Sequence, residues 1–400
     1  MNSMTPYDVI CIGAGPTGLA CAIEVKRAGL RPLVIDKGVL CNSLYHYPVN
    51  MVFFTTPELL EIGDLPFVCA AEKPTRAEAL KYYRKCVEHY DLELRLGELV
   101  TRVEGSDGDF RVHTRADDPL SAFPGGIDTP DELPPQKNVY SSRKLIVATG
   151  YYDLPNRLGV PGEDLPHVSH YYTEPHPFWR EDVVVVGGKN SAAEAALDLY
   201  RAGARVTLVH RRADLGTNIK YWVRPDIENR IKAGQVAALF NTHVVRIEPG
   251  FVHVASYGES GSAATVDHVV EPPTGVSSRE SHGHQELSRV NKVTLPLAHK
   301  KVPAAQVFVL TGYHPDFDFL RQLGVNLDLE TNKPALDPRT LESNVPGLYL
   351  AGVIIGGKHT SEIFIENGRF HGKQIIAALT GAPIPVAQPV DVGARHGFIS

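Results

Sequence analysis

The sequence has 400 residues with a formal net charge of −6, and 43% of its residues are hydrophobic and 22% charged. A chain of this length typically forms two domains, and this composition is typical of a globular enzyme. The small negative charge argues against nucleic acids and anionic membranes as partners, because both are recognised through positive protein charge. No apolar run approaches the roughly 20 residues of a membrane-spanning helix, so we expect no membrane partner.

The cysteines and the start of the chain indicate a compartment. The five cysteines all lie within the first 86 residues and form no closely spaced pair. An odd number without such pairs argues against a disulfide framework. The first predicted strand starts at Tyr7, which leaves no room for a secretory signal before it. We therefore expect a cytoplasmic protein.

The first predicted strand is followed directly by a glycine-rich turn. Residues 7–12 are apolar and too few for a helix. The turn Gly13-Ala-Gly15-Pro16-Thr17-Gly18 then leads into a helix of small residues, and the next strand ends at Asp36, followed by Lys37. Strand, glycine turn, helix, strand and acid follow one another as in a dinucleotide-binding site.

The residues of this first turn have separate predicted roles. Gly13 permits the tight turn, Gly15 lets the backbone approach a pyrophosphate, and Gly18 lets the helix pack on the sheet. The helix N-terminus offers free N–H groups and the positive end of the helix dipole to phosphates. Asp36 can accept hydrogen bonds from both ribose hydroxyls and would repel a 2′-phosphate.

The elements that follow are mostly strands. We predict a helix over residues 74–90 that is capped by Thr75, then strands over 92–103, 110–114 and 144–150, the last ending in Thr149-Gly150. A proline-rich link over residues 151–166 would lead into a second domain, and the polar segment 116–138 is predicted to be a loop.

The strand–turn–helix–strand pattern then recurs, with each position displaced by the same number of residues. Gly13 aligns with Gly187, Gly18 with Ala192 and Asp36 with His210. The second turn is Gly187-Gly188-Lys189-Asn190-Ser191-Ala192, in which Lys189 could add a cation near a pyrophosphate. The acid of the first pattern becomes His210-Arg211-Arg212, and guanidinium groups suit the 2′-phosphate of NADPH. One acidic and one basic version predict FAD at the first turn and NADPH at the second.

The rest of the chain would return to the first domain. We predict a helix over residues 218–234, two strands within 236–254, a polar loop over 257–289, and strands over 306–312 and 347–352. A helix from about Ser361 to Leu379 follows, and its N-terminus would direct N–H donors towards the flavin, where negative charge develops on reduction. The predicted fold is α/β with two Rossmann-like dinucleotide-binding domains, the second inserted into the first. Residues 1–158 and 298–400 would bind FAD, and residues 159–297 would bind NADPH.

In this order the motifs resemble the two-dinucleotide-domain flavoproteins of thioredoxin-reductase type over nearly the whole chain. The segments 42–45, 311–316 and 362–372 are closer to the bacillithiol disulfide reductase branch. The resemblance implies FAD, NADPH, a homodimer, and reduction of a small-molecule disulfide such as bacillithiol disulfide. Outside the two turns and their strand ends, the candidate cofactor-contacting residues are Lys37, Val100, Thr149, Gly150, Gly312, Gly352, Val353, Ser361, Glu362 and Ile363.

Three features depart from the family pattern. Thioredoxin reductases carry a Cys-x-x-Cys in the NADPH domain, whereas this chain has no cysteine after residue 86. Thr17 stands where relatives of the bacillithiol branch often have cysteine, and Val353 stands where thioredoxin reductases have an FAD-contacting aspartate. The acceptor must therefore meet the flavin directly or use a small redox protein.

Two other functions stay open. An NADPH-flavin reductase could serve ferredoxin or a quinone, and a redox sensor could hold the flavin with little turnover. Acceptor screening and a steady-state rate would separate these alternatives. The sequence identifies no catalytic side chain, and no group of cysteines and histidines has the spacing of a metal site.

Overall fold

The computed structural model describes residues 5–117, 137–256 and 298–383. The loop predicted over 257–289 lies outside these residues, as does the loop predicted over 116–138 apart from its ends. Among the helices that are described, none has the length and apolar character needed to cross a membrane.

The helices and strands follow one another in three parts of the chain. The first part contains β1 (Tyr7–Ile12), α1 (Pro16–Arg27), β2 (Pro32–Asp36), α2 (Asn42–Tyr45), α3 (Arg76–His89), β3 (Leu94–Leu96), β4 (Glu98–Ser106), β5 (Asp109–Ala116) and β6 (Lys137–Val147). The middle part contains β7 (Val168–Ser169), β8 (Asp182–Val186), α4 (Asn190–Arg201), β9 (Arg205–Val209), α5 (Arg224–Lys232), β10 (Ala237–Leu239), β11 (Thr242–Glu248), β12 (Gly250–Ser256), β13 (Ala298–Ala304) and β14 (Gln306–Val309). The last part contains α6 (Phe317–Gln322), β15 (Leu348–Leu350), α7 (Ile365–Gly368) and α8 (His371–Thr380).

The chain divides into two compact units, the second inserted into the first. The first unit comprises Met1–Asn156, His170–Glu174 and Thr311–Ser400, and the second comprises Arg157–Ser169 and Pro175–Leu310. Strand β14 pairs with β8, and β13 pairs with β12. The second unit therefore extends past the boundary at residue 297 that the sequence suggested.

The first unit is built on a parallel sheet in the order β3-β2-β1-β6, with β15 also pairing with β6. The first half of β6 pairs instead with the antiparallel hairpin β4–β5. Side chains of β1 alternate between two hydrophobic clusters, because successive residues of a strand point to opposite faces. Val9 and Cys11 join residues of α1, α3 and α8, whereas Ile10 and Ile12 join residues of β5 and α6.

The second unit has a parallel sheet in the order β10-β9-β8-β14-β7 and a separate three-stranded sheet, β11-β12-β13. Valines of both sheets share one hydrophobic cluster, so the small sheet covers one face of the parallel sheet. Two parallel sheets, each with a helix directly after a glycine turn, are the architecture that the two sequence patterns predicted.

Helix α3 confirms the prediction over residues 74–90 and its cap. Thr75 Oγ1 accepts a hydrogen bond from Glu78 N at 3.2 Å, and the Glu78 carboxylate accepts one from Thr75 N at 2.8 Å. This reciprocal pair satisfies N–H groups that have no partner inside the helix.

Three other predicted elements were wrong in their bounds. The strand over 92–103 is interrupted at Gly97, which has φ +69° and separates β3 from β4. The helix predicted from residue 218 begins only at Arg224, with Pro225 in its first turn, where proline is tolerated. The region 236–254 holds three strands, since a break with Asn241 at φ +48° separates β10 from β11, and the chain reverses between the antiparallel strands β11 and β12.

Candidate functional sites

The first glycine turn joins β1 to α1 with very little space around two of its glycines. A Cβ on Gly13, whose φ is +114°, would lie 2.3 Å from the Ala148 carbonyl oxygen, and a Cβ on Gly18 would lie 1.9 Å from the Gly13 carbonyl oxygen. A Cβ on Gly15 would meet no atom within 4 Å. Helix α1 begins at Pro16 without a side-chain cap. Open space beside Gly15 and uncapped N–H groups fit a dinucleotide pyrophosphate.

Asp36 at the end of β2 holds this turn in place. Its Oδ2 accepts a hydrogen bond from Ala14 N at 2.6 Å, and its Oδ1 accepts one from Gly38 N at 2.8 Å. Burial raises the pKa of this carboxyl group, and the two N–H donors act in the opposite direction. Each oxygen keeps a second lone pair, so the carboxylate can still accept from ribose hydroxyls as predicted.

The predicted cofactor contact Lys37 forms an ion pair. Its Nζ lies 3.0 Å from Asp153 Oδ2, a residue that the sequence did not single out. The other oxygen, Asp153 Oδ1, is buried without a hydrogen-bond partner in the described protein.

The loop after Lys37 contributes two further polar groups that sequence reasoning missed. Asn42 Nδ2 and Thr55 Oγ1 are buried and have no hydrogen-bond partner among the described residues. The Asn42 amide lies so close to Gly38 that a Cβ there would be 2.4 Å from it. Buried polar atoms are almost always paired in a complete structure, so these two atoms fit a site that a polar cofactor completes. The sequence signals were the place of both residues in an irregular loop after the acidic strand end and, for Asn42, its position in the family-like segment 42–45.

Other candidate residues of the first unit lie at strand ends or in the core. Gly150 has φ +74° and follows Thr149 just after β6. The Gly312 carbonyl oxygen accepts a hydrogen bond from Asn156 N at 2.9 Å. Val100 is buried within β4, in the same hydrophobic cluster as Ile10 and Ile12. The cofactor contacts assigned to these positions stay predictions.

The helix predicted from Ser361 was wrong in its start and its continuity. Two short helices, α7 and α8, occupy this region, and neither includes Ser361, Glu362 or Ile363. The start of α7 is fixed by Asn367, whose side chain accepts from Phe364 N at 2.8 Å and donates to Glu362 O at 3.1 Å. Ser361 and Glu362 are exposed, and Glu362 pairs with Lys333 at 3.0 Å. They are therefore not donors at a helix N-terminus.

Thr17 packs against glycines of the last segment of the first unit. A Cβ on Gly352 would lie 3.3 Å from Thr17 Cγ2, and a Cβ on Gly368 would lie 2.9 Å from Thr17 Oγ1. Val353 follows Gly352 within a short 3₁₀ turn. Thr17 is thus a half-buried hydroxyl beside two backbone segments, at the position where the resemblance suggests a thiol.

His371, the first residue of α8, holds the same segment. Its Nδ1 accepts a hydrogen bond from Gly352 N at 3.0 Å, so the proton of the neutral ring is on Nε2. Burial lowers the pKa of His371 from 6.5 to about 4. The ring is therefore a neutral acceptor that fixes Gly352 at physiological pH.

This histidine predicts a loss of stability in acid. Because the folded pKa is below the unfolded one, His371 stabilises the fold fully above pH 6.5, and this contribution falls as the pH drops to about 4. Between pH 7 and pH 4, we expect the free energy of unfolding of the wild-type protein to fall by about 3 kcal/mol more than that of the His371→Asn variant. Urea unfolding at several pH values measures this difference. His359 is exposed, so the His359→Asn variant serves as the control, and its free energy of unfolding should depend on pH as that of the wild type does. The same pH dependence in the wild type and in His371→Asn would contradict the prediction.

The second glycine turn joins β8 to α4 and is closed by His210. A Cβ on Gly187 would lie 2.6 Å from the Leu310 carbonyl oxygen and 2.7 Å from Ala192 Cβ. A Cβ on Gly188 would lie 2.2 Å from Cε1 of His210, so the imidazole ring covers the Gly188 backbone. Burial lowers the pKa of His210, as do the charges of Arg212 and Arg211, so the ring is neutral at pH 7. His210 Nε2 is buried without a partner in the described part of the chain.

Helix α4 starts after Lys189 without a side-chain cap, as an anion-binding helix should. Its first residue, Asn190, uses its amide within the protein. Asn190 Oδ1 accepts from Lys220 N at 2.8 Å, and Nδ2 donates to Asn218 O at 3.1 Å. Asn190 therefore holds the segment around residues 218–220, which precedes α5. Ser191, the next residue of α4, is exposed.

Arg211 and Arg212 follow β9 and are both exposed. Within the described residues, neither guanidinium group forms an ion pair with a carboxylate. Their charge is therefore available to a ligand, which suits the predicted 2′-phosphate contact.

The five cysteines are all in the first unit and none lies in a disulfide. Burial raises the pKa of Cys11 to about 12 and that of Cys86 to about 11, and it also raises the pKa values of Cys21 and Cys41 well above their usual range. Cys69 is only partly buried, and its Sγ lies 2.9 Å from the Ala71 carbonyl oxygen. The raised pKa values keep the thiols of Cys11, Cys21, Cys41 and Cys86 protonated, and protonated thiols are poor nucleophiles.

Comparisons with known proteins show the family to which the chain belongs. The chain matches the family model of pyridine nucleotide-disulphide oxidoreductases over residues 10–122, 132–301 and 277–352. It is 39% identical to bacilliredoxin reductase Bdr of Bacillus subtilis (strain 168), over 94% of this chain and 98% of that protein. The solved structure of bacillithiol disulfide reductase from Bacillus cereus matches with a TM-score of 0.77 and 36% identity, covering 94% of this chain and 99% of that one. A ferredoxin–NADP reductase of Ignicoccus hospitalis is 27% identical over 87% of this chain and 90% of that protein.

The chain belongs to the pyridine nucleotide-disulphide oxidoreductase family. It is a flavin-dependent thiol-disulfide oxidoreductase that uses FAD and NADPH. The predicted fold, the two cofactors and the resemblance to the bacillithiol disulfide reductase branch are confirmed.

Proposed function

We propose that this protein is an NADPH-dependent reductase of a low-molecular-weight thiol disulfide such as bacillithiol disulfide. The observation that carries the proposal is the similarity, over nearly the full length of both chains, to proteins named bacilliredoxin reductase and bacillithiol disulfide reductase. The overall reaction would consume one NADPH, one proton and one disulfide, and it would release NADP⁺ and two thiols. When bound, NADPH supplies a hydride to FAD, and FAD passes two electrons to the disulfide.

The chain's own residues would bind and orient the cofactors. In the first unit, Asp36 would accept from the FAD ribose, and the free N–H groups at the start of α1 would donate to its pyrophosphate. In the second unit, the start of α4 would bind the NADPH pyrophosphate, and Arg211 and Arg212 would bind its 2′-phosphate. The two sites differ in charge at corresponding strand ends, which supports their assignment to different cofactors.

The acceptor disulfide would be reduced without a thiol of this chain. No Cys-x-x-Cys occurs in the sequence, Thr17 has no thiol, and four of the five cysteines are buried. The acceptor would thus receive its electrons directly from the flavin or through a small redox protein. The homodimer implied by the resemblance stays a prediction, which the mass in solution would check.

The lack of a thiol relay predicts resistance to alkylation. After anaerobic reduction with NADPH, treatment with N-ethylmaleimide should leave disulfide reduction within about 2-fold of the untreated protein, because buried protonated thiols react slowly. Mass spectrometry should find any label at Cys69. A thioredoxin reductase with its Cys-x-x-Cys treated in parallel is the positive control and should be inactivated. Loss of activity together with a label on Cys41 would contradict the prediction.

A reductase for ferredoxin is the second candidate, favoured by the similarity to a ferredoxin–NADP reductase over most of both chains. An enzyme without an internal dithiol could also serve such an acceptor. Because the chain belongs to a family of oxidoreductases, the alternative of a sensor with little turnover has less support.

The test is an anaerobic absorbance titration of the purified protein with NADPH and, separately, NADH. We expect the flavin absorbance to be bleached at far lower NADPH than NADH, and bacillithiol disulfide to restore it faster than ferredoxin or a quinone. Faster reoxidation by ferredoxin would favour the second candidate. A flavin that NADPH does not bleach would overturn both.

A further inference from the structure

We propose that the ion pair between Lys37 and Asp153 retains FAD in the first dinucleotide site, with Lys37 offsetting the charge of two neighbouring carboxylates. This inference rests on the FAD site of the proposed function. Lys37 directly follows Asp36 at the end of β2, and Asp153 lies in the segment after β6. Lys37 Nζ and Asp153 Oδ2 are 3.0 Å apart, with side chains 35% and 22% exposed.

The strand order places this pair beside the glycine turn. Strand β1 lies between β2 and β6, and all three are parallel. Their carboxyl ends therefore meet at one edge of the sheet. The pair joins the chain segments that follow the two strands flanking β1, at the edge where β1 runs into Gly13. A cofactor on the glycine turn thus lies at the edge that the pair spans.

The charges around Asp36 explain why the pair matters for an anionic ligand. Burial raises the pKa of Asp36, the charge of Asp153 raises it further, and the charge of Lys37 lowers it. Geometry places the same groups together, because Lys37 directly follows Asp36 in the chain and its Nζ lies 3.0 Å from Asp153 Oδ2. Two carboxylates beside a pyrophosphate would repel it, and Lys37 supplies the positive charge that offsets one of them.

Asp153 also offers a hydrogen-bond acceptor in a chain that has Val353 where the family pattern has an aspartate. Its Oδ1 is buried and has no hydrogen-bond partner within the described residues. Val353, in place of an aspartate after β15, cannot accept a hydrogen bond through its side chain. Strands β15 and β6 are parallel neighbours. A carboxylate after β6 could therefore accept an FAD hydroxyl hydrogen at the same sheet edge.

The test compares Lys37→Met, Asp153→Asn and the double variant, purified with bound FAD. The rate of FAD dissociation is followed by the recovery of flavin fluorescence after dilution, and the melting temperature of each apoprotein is measured separately. We expect Lys37→Met to release FAD about 10-fold faster, because it leaves both carboxylates unbalanced. The double variant should release FAD more slowly than Lys37→Met, since the second substitution removes one of the two negative charges. Lys37→Arg should behave like the wild type.

The pair between Lys144 and Asp107 is a matched control. These side chains are 2.6 Å apart and 27% and 42% exposed, and Lys144 lies within β6, before its carboxyl end. Lys144→Met should leave FAD dissociation unchanged. The inference would be overturned if Lys37→Met released FAD at the wild-type rate while the apoproteins of Lys37→Met and Asp153→Asn lost equally in melting temperature. The ion pair of Lys37 would then stabilise the fold without retaining FAD. A wild-type protein that binds no FAD would instead overturn the proposed function, and this inference with it.

Discussion

Replacing both Arg211 and Arg212 by alanine should raise the KM for NADPH roughly 100-fold and leave the KM for NADH within about 2-fold. Both side chains are exposed at the end of β9. A hydrogen bond to a charged group typically contributes about 1.5–3 kcal/mol, and NADH has no 2′-phosphate to receive one. The kcat with saturating NADPH should change little, because the 2′-phosphate is remote from the hydride. Steady-state kinetics with each nucleotide measures the effect.

Arg205 provides the control at the other end of the same strand. It begins β9 and pairs with Asp182 through two hydrogen bonds of 2.7 and 2.9 Å. Like Arg211→Ala or Arg212→Ala alone, Arg205→Ala removes one positive charge from the second unit. It should nevertheless leave the KM values for NADPH and NADH unchanged. If the KM values for NADPH and NADH rose equally in the Arg211/Arg212 variant, this would indicate general damage to the second turn and would contradict recognition of the 2′-phosphate.

Replacing Gly15 by alanine should weaken FAD binding while leaving the apoprotein folded. Gly15 has φ −74°, which any residue adopts, and its added Cβ would meet no protein atom within 4 Å. The methyl group would instead occupy the space predicted for the pyrophosphate. Overpacking typically costs about 1–3 kcal/mol, so FAD binding should weaken roughly 10- to 100-fold. Titration of apoprotein with FAD gives the affinity, and thermal unfolding gives the stability.

Gly18→Ala separates this effect from damage to the fold. Its Cβ would lie 1.9 Å from the Gly13 carbonyl oxygen, so α1 must move before the residue fits. We expect a lower melting temperature for the Gly18→Ala apoprotein and an unchanged one for the Gly15→Ala apoprotein. If Gly15→Ala binds FAD as tightly as the wild type, the first turn is not the pyrophosphate site.

Sequence patterns predicted a structural feature correctly where the interactions that form it lie within a few residues of the chain. The two glycine turns, the charge at each following strand end, and the cap of α3 each involve residues within a few positions of one another. Thr75 and Glu78 satisfy each other's backbone groups in a single turn of helix. Such features can be recognised in one sequence because the chain itself brings the residues together.

The predicted helix bounds were wrong where hydrogen bonds with distant parts of the chain determine the structure. The helix expected from Ser361 is replaced by two short helices, and the first residue of the second one, His371, is held by its hydrogen bond with Gly352, 19 residues earlier in the chain. The helix expected from residue 218 starts later, because residues 218–220 are bonded to Asn190. In both cases tertiary hydrogen bonds override the local preference for helix.

The sequence by itself determined that this protein has two dinucleotide turns, one ending in Asp36 and one in Arg211-Arg212, and that it lacks a dithiol relay. Only the tertiary structure revealed the ion pair of Lys37 with Asp153 and the unpaired polar atoms of Asn42 and Thr55 within the described residues. The physical reason is strand order. Residues far apart in the chain meet at the carboxyl edge of a parallel sheet only after β1 has been placed between β2 and β6, and no local pattern specifies that placement.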